Sequence, residues 1–369
     1  MNILIHTIPA DVHAAAVQVA LAEKKIQSRA WFIGDFPSDQ KISARISDDC
    51  PSDFTIIDDI DKNNVTEKFD VVWHRRVGDL QPVSPTIEKI DQVFVQREVR
   101  RFISAAISSV GLDAFWVNGV AESKYADDKL LQLEIARRVG LSIPDSLASN
   151  NLTDVKNFIS ESRNRQVIYK PFRAYSWRYS DRQLVSYTKI ITIDDLPDQE
   201  SMRACPGIFQ AYIEKEFEVR VTIMGHYVTS VALYSPDKED WRMSSEKDEL
   251  EAKEFSLPSE IEAKCLELMS RLGLVFGCID LIVKPDGSYV FLEVNEMGQF
   301  LWVEFMLPKY KLLDAFTDFL ISKDPKFTWN PNKSRISYKD IEETEKCRSL
   351  IRASGLHVSA PHLQIDQTA

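Results

Sequence analysis

The chain has 369 residues, 44% hydrophobic and 27% charged, enough for two or three compact lobes around a sizeable core. Lys and Arg total 45 against 56 Asp and Glu, a net charge of −11, which excludes a general nucleic-acid or anionic-membrane binder because either needs a dominant basic surface. Cys50, Cys205, Cys265, Cys278 and Cys347 show no paired spacing, so neither a disulfide framework nor a zinc knuckle is expected. The N-terminal MNILIHTIPADVH lacks the basic and long apolar regions of a secretory signal, and no apolar run reaches membrane-span length. The expected setting is cytoplasmic, with no nucleic-acid or membrane partner.

Residues 1–115 are predicted to form a small α/β lobe. Asn2–His6, Ala30–Ile33, Phe54–Ile57 and Val71–Trp73 carry strand patterns, and Val12–Lys25 and Gln96–Ser109 carry helical ones. A central unit, 116–205, is predicted to contain a helix over Asp127–Val139 with Gly140 as its stop. It continues with the extended segment Leu141–Ser146, a helix over Thr153–Ser162 and a strand over Gln166–Lys170. The third unit, 206–322, is strand-rich: Phe209–Ile213, Glu216–Ile223 and Tyr227–Tyr234, a helix over Ser259–Leu272, a hairpin over Gly277–Asn295, and a last helix near Leu312–Ile321. Residues 323–369 are polar and weakly periodic and read as a loosely attached tail.

The hairpin is the most informative segment. Asp286-Gly287 between two β-rich runs predicts a two-residue turn, which sets Asp280 opposite Glu293. Alternation then puts Cys278, Asp280, Ile282, Phe291, Glu293 and Asn295 on one face. Ile279, Leu281, Val283, Val290, Leu292 and Val294 form a wholly apolar other face. Facing carboxylates repel, so a positive group should lie near them. Magnesium, which takes oxygen ligands, suits two carboxylates and an amide. On the hairpin alone, a solvated acidic edge is an equally good reading.

Upstream, Lys129 falls in the first turn of a helix and Lys170 ends the apolar strand VIYK. Gln210, Ala211, Tyr212 and Ile213 belong to a short apolar segment between lobes, whose backbone could meet an adenine edge or simply be a buried strand. In EFEVRVTI, Glu218 and Arg220 project from one face. Arg220, and Arg242 in Asp240-Trp241-Arg242, could grip phosphate, with surface salt bridges as the plainer alternative.

The order of these features (lysine, lysine, apolar linker with Glu-x-Arg, then Asp and Glu-x-Asn) resembles the ATP-grasp superfamily over roughly residues 116–320. A narrower resemblance, to the microviridin-type or graspetide peptide ligases, rests on Trp73-His74-Arg75-Arg76, Trp116-Val117-Asn118, Lys129-x-x-Gln132-Leu133, Gly140-Leu141-Ser142-Ile143-Pro144 and Asn295-x-x-Gly298-Gln299-x-x-Trp302. It implies an α/β ATP-grasp fold whose N-terminal, central and C-terminal lobes clamp ATP.

The implied activity is condensation of Asp or Glu side chains of a ribosomally made precursor peptide, through acyl phosphates, into ester or amide macrocycles. ATP and magnesium are the implied cofactors, the precursor peptide the partner, and a homodimer is suggested by the resemblance alone. In site terms it implies Asp280, Glu293 and Asn295 on magnesium, Lys129 and Lys170 on phosphates, Glu218 on ribose, and Gln210–Ile213 at adenine. Arg220 and Arg242 would meet the transferring phosphoryl. Arg75, Arg76, Arg173 and Arg178 are candidates for gripping an acidic peptide or for ordinary structural roles. The sequence departs from the family pattern after Lys170, where PFRAYSWRYS replaces a Gly-rich loop, and at Glu296-Met297, where Pro-Asn is expected. Two other readings stay open: a ligase acting on a free amino acid or a protein tail, such as a ribosomal-protein glutamate ligase, and a catalytically silent nucleotide-binding regulator.

Overall fold

The computed structural model describes residues 1–357 apart from 50–52, 61–63, 66–67, 83, 164–165, 174, 179–182, 187, 238–240, 242–243 and 245–248. The first lobe starts with β1 (Asn2–His6), whose last four residues are buried. Asp11 then caps α1 (Val12–Glu23), its carboxylate accepting from the His13 and Ala14 N–H groups. Alanines at 14, 15, 16 and 20 make the buried face of α1 thin, so the helix can lie close on its neighbours. β2 (Gln27–Trp31), β3 (Gln40–Arg45), β4 (Asp53–Asp58), β5 (Asn64–Val65), β6 (Val71–His74), α2 (Gln92–Val110) and β7 (Phe115–Val117) complete the lobe. Its main sheet is parallel with order β2-β1-β6-β7, while β3, β4 and β5 form a separate antiparallel sheet.

The helix expected over 127–139 forms as α4 (Lys129–Arg138), and a further helix, α3 (Val120–Ala126), precedes it. Asp127 and Asp128 separate them, because the Asp128 carboxylate takes the Leu130 and Leu131 N–H groups and so starts a new helix. The central lobe continues with β8 (Ser146–Ser149), α5 (Leu152–Glu161), β9 (Val167–Lys170), β10 (Ser176–Arg178), β11 (Gln183–Val185), β12 (Lys189–Ile191), α6 (Gln199–Ala204) and β13 (Gly207–Ala211). Four of these strands form an antiparallel sheet of order β12-β9-β13-β8, and β10 and β11 make a hairpin of their own. Strand pairing thus assigns β7 to the first lobe and β13 to the central one, a few residues beyond the breaks at 115 and 205.

The C-terminal lobe holds β14 (Phe217–Met224), β15 (Tyr227–Tyr234), β16 (Glu251–Phe255), α7 (Ser259–Arg271), β17 (Phe276–Val283) and β18 (Tyr289–Asn295), with sheet order β16-β15-β14-β17-β18. α7 covers one face, packing Cys265, Leu268 and Met269 against Val219, Val221, Ile279 and Leu281. Next come α8 (Leu301–Met306), α9 (Leu312–Ser322), α10 (Tyr338–Glu342) and α11 (Glu345–Ser354). Phe276, Phe300, Phe316 and Phe319 pack with Trp73, Ile3 and Ile5, so the first and last lobes share one core.

The segment from 323 to 357 is not a loose tail. Phe327, Tyr338, Ile341 and Cys347 are buried in that shared core, and α10 and α11 lie against α1. Glu304, itself 1% exposed, accepts the Tyr338 N–H at 2.6 Å and so fastens this segment to α8. No helix among the described residues is long and apolar enough to cross a membrane.

Candidate active site

The site is built on the β17–β18 hairpin, and its register carries a correction. The turn is a three-residue loop: Lys284 pairs with Ser288, and Gly287, at φ +80°, donates its N–H to Lys284 O at 2.8 Å. This is a type I turn closed by a left-handed glycine rather than a two-residue turn. The longer loop shifts the pairing by one residue, giving Val283–Tyr289, Ile282–Val290 and Leu281–Phe291. A bulge then admits Leu292 as an extra residue and restores Asp280 opposite Glu293 and Cys278 opposite Asn295. Phe291 therefore goes into the core with Ile279, Leu281 and Val294, while Leu292 lines the site cavity, the reverse of the predicted faces.

Glu293, Asn295 and Asp280 line a cavity of about 210 Å³ between the central and C-terminal lobes. Two cations neutralise the facing carboxylates. Arg220, across from Asp280 on β14, donates from one terminal nitrogen to both Asp280 oxygens at 2.9 Å and from the other to Gln299 O at 3.3 Å. Lys129, at the first position of α4, reaches Glu293 Oε2 at 2.8 Å. Burial alone would lower the Arg220 pKa, but Asp280, helped by Cys278 and Glu293, holds it above its usual value. Arg220 Nε is buried and has no hydrogen-bond partner among the described residues. A buried donor left open in a cavity wall suits an anionic ligand.

Lys170, Glu218 and Gln210–Ile213 line the same cavity, so the described candidates for cation, phosphate, ribose and adenine face one space. Gln210 sits mid-sheet, paired with Ser146 on one side and Ile168 on the other, and Ala211 N–H donates to Asp145 O. Tyr212 and Ile213 lie beyond the end of β13. Glu218 is held by Lys215 Nζ at 2.5 Å, a lysine that also lines the cavity and was not singled out from sequence. Arg242 lies outside the described residues, as does the side chain of Arg178.

Arg75 does not face the cavity. It is 1% exposed, its Nε donates to Asp11 Oδ2 at 3.1 Å, and one terminal nitrogen donates to Met297 O and Gly298 O. It ties the first lobe to the loop after β18, a structural role. Arg76 also approaches Asp11, at 4.0 Å, and Arg173 is exposed. His13 supports the same loop, its Nε2 accepting the Phe300 and Leu301 N–H groups at 3.2 and 3.3 Å. Burial, with Arg75 adding to it, lowers the His13 pKa to about 3, so the ring is a neutral acceptor. Glu296, directly after Asn295, is pushed up to about 7, first by burial and then by Asp127 and Glu293, against its own backbone and Arg173.

At the far side of the cavity Trp241 stacks on Trp302 with ring centroids 5.0 Å apart, and Trp302 Nε1 donates to Gln299 O. Gln299 and both tryptophans line the space, but only assembled strands and loops bring them there.

No family model matches the sequence, and no curated protein matches it. Solved structures do. The macrocyclase MdnC of Microcystis aeruginosa, bound with precursor peptide MdnA, is 28% identical with a TM-score of 0.75, over 87% of this chain and 100% of that one. A RiPP-associated ATP-grasp ligase of Chryseobacterium gregarium, in complex with ADP and a leader and core peptide, is 26% identical with a TM-score of 0.75, over 88% and 97%. The chain is a graspetide-type ATP-grasp ligase. The macrocyclase MdnB of Microcystis aeruginosa aligns nearly as well, at 27% identity and a TM-score of 0.72, over 87% of this chain and 99% of that one. The likeness spans all three lobes of the ATP-grasp ligase, including the first, which the superfamily motifs leave out.

Proposed function

We propose that the protein is an ATP-dependent carboxylate ligase that closes macrocycles in a ribosomally made precursor peptide. The observation that carries this is the convergence on one cavity of Asp280, Glu293 and Asn295 with Lys129, Lys170 and Glu218. Complexes of similar ligases with ADP and with leader, core or precursor peptides support it. A substrate Asp or Glu carboxylate attacks the γ-phosphate of ATP, forming an acyl phosphate and ADP. A Ser or Thr hydroxyl, or a Lys amine, then attacks the acyl carbon and phosphate leaves, with the nucleophile's proton lost to solvent.

The donor set fits magnesium, since two carboxylates and an amide oxygen are hard ligands. Asn295 Oδ1 accepts the Gly298 N–H at 2.9 Å, which orients it and leaves a second lone pair. These three residues would hold magnesium, which would supply positive charge to offset that of the nucleotide phosphates. Lys129 and Lys170 would neutralise phosphate oxygens, Glu218 would hold the ribose hydroxyls, and the chain at Gln210–Ile213 would border the adenine. Arg220, clamped by Asp280, would stand beside the transferring phosphoryl, and Arg242 would meet the acyl phosphate. Positioning and charge neutralisation supply most of the rate.

Incubation with ATP, magnesium and an acidic precursor peptide is expected to release ADP and to remove about 18 Da from the peptide per ring, the mass of the water that each condensation loses. Glu293→Gln is expected to lower turnover by at least about 10²–10³-fold with the fold intact, as loss of one charge-stabilising group does elsewhere. Wild-type ligation by that variant would sink the cation assignment.

A further inference from the structure

β18 is the outermost strand of its sheet, so one edge of its backbone is left to be satisfied by something other than a strand. At Val294, between two of the assigned cation ligands, that edge meets a side chain. Val294 N–H donates to Gln132 Oε1 at 2.7 Å, and Gln132 Nε2 donates back to Val294 O at 2.9 Å. The second proton of Nε2 goes to Ala126 O at 2.6 Å, so both amide protons are used, and Gln132 is 3% exposed. This reciprocal pair reproduces the hydrogen bonding of one residue of a neighbouring strand.

We infer that Gln132 is a positioning residue that sets the backbone of β18 at Val294 and thereby aims Glu293 and Asn295 at the cation. Val294 packs into the core, so its two neighbours in sequence project from the opposite face toward the cavity. Rotation or sliding of the strand edge at this point would turn both ligands together. Lys129 lies one helical turn before Gln132 on α4 and grips the Glu293 side chain. One helix face thus fixes a ligand's carboxylate and the backbone beside it. The other ligand strand, β17, is fixed by its neighbours on both sides, which explains why only β18 needs such a device.

The inference rests on reading Asp280, Glu293 and Asn295 as cation ligands, and the test separates the two. Manganese, detected by electron paramagnetic resonance, serves as the magnesium probe in the presence of ADP, well below the melting temperature. Gln132→Met fills similar space but cannot bond the strand, and is expected to bind manganese about 10–100-fold more weakly, the usual effect of removing an outer-shell partner. Gln132→Glu keeps the acceptor and loses the donor, and should fall between Gln132→Met and wild type. It carries the test if Gln132→Met does not fold. Wild-type manganese affinity in whichever of these folds, alongside a loss in Glu293→Gln, overturns the role of Gln132 and leaves the cation site standing. Unchanged affinity in Glu293→Gln itself overturns the site reading and the inference together.

Discussion

The two sheets that wall the cavity are built to different depths. In the C-terminal lobe, β14 and β17 are eight residues each and buried along nearly their whole length, and they stand between other strands on both sides. In the central lobe the strands run three to five residues over the small core of Val155, Ile159, Val167, Ile191, Met202 and Phe209. The β10–β11 hairpin joins neither sheet and shows solvent 53% of Tyr175, 38% of Trp177 and 46% of Leu184. The proposed cation ligands sit on the deep sheet, and Lys170 and the segment proposed to border adenine sit on the shallow one. Groups that must hold geometry are placed where opening costs most of the global stability, while groups that cover a ligand sit where local opening is easy.

The largest effect on this contrast is expected from Arg220→Met. It removes a buried guanidinium from a bidentate pair and leaves Asp280 without that partner, which typically costs about 3–5 kcal/mol. Urea unfolding followed by circular dichroism measures it, and a loss under about 1 kcal/mol would break the account of the deep sheet as the stiff one.

A smaller effect should follow acidification. Burial lowers the pKa of His13 to about 3 and of His74 to about 4, and burial together with His74 holds His6 well below 6.5. The folded state therefore keeps these rings neutral, whereas the unfolded chain protonates them below pH 6.5. Stability is complete above pH 6.5 and is lost as pH falls toward the folded values, by up to about 1.4 kcal/mol per pH unit for each ring. Glu296, raised to about 7, opposes this: its contribution is present below 4.5 and is lost as pH rises through 7. Unfolding measured at pH 7, 6 and 5 should show a net fall. Equal stability at all three pH values would overturn the histidine accounting.

Much of the deep sheet was legible from sequence because its strands are long and alternate cleanly. The facing of Asp280 and Glu293 was legible too, but through two departures that cancel. A loop one residue longer than Asp-Gly alone suggests moved the register, and the bulge at Leu292 moved it back. Bulges follow from packing across strands, which no local pattern announces, so Phe291 and Leu292 were assigned to the wrong faces. The partners through which Arg75 and Gln132 reach the C-terminal lobe lie 160 or more residues away in sequence and are backbone groups. Backbone partners leave no residue-type signature, and the docking of α10 and α11 looked like a tail because its buried side chains, Phe327, Tyr338, Ile341 and Cys347, are widely spaced. The short strands β10 and β11 were missed because three-residue runs carry too little periodicity to register.

The smallest effect is expected on the shallow side, from Trp177→Ser. Trp177 pairs with Leu184 across the β10–β11 hairpin and meets Tyr175 edge-on with centroids 5.1 Å apart, yet it is more than one-third exposed. Exposed cross-strand pairs contribute about 0.2–1 kcal/mol, several-fold less than the Arg220 substitution. Because β10 and β11 pair with no strand of either sheet among the described residues, their loosening has no ladder through which to reach β17 or β18. Hydrogen exchange should therefore quicken across 175–186 in the variant while protection at Asp280 and Val294 stays at the wild-type level. If protection in the deep sheet falls as well, the two walls are one cooperative unit. The division between a stiff ligand-holding sheet and a light covering one would then have to be given up.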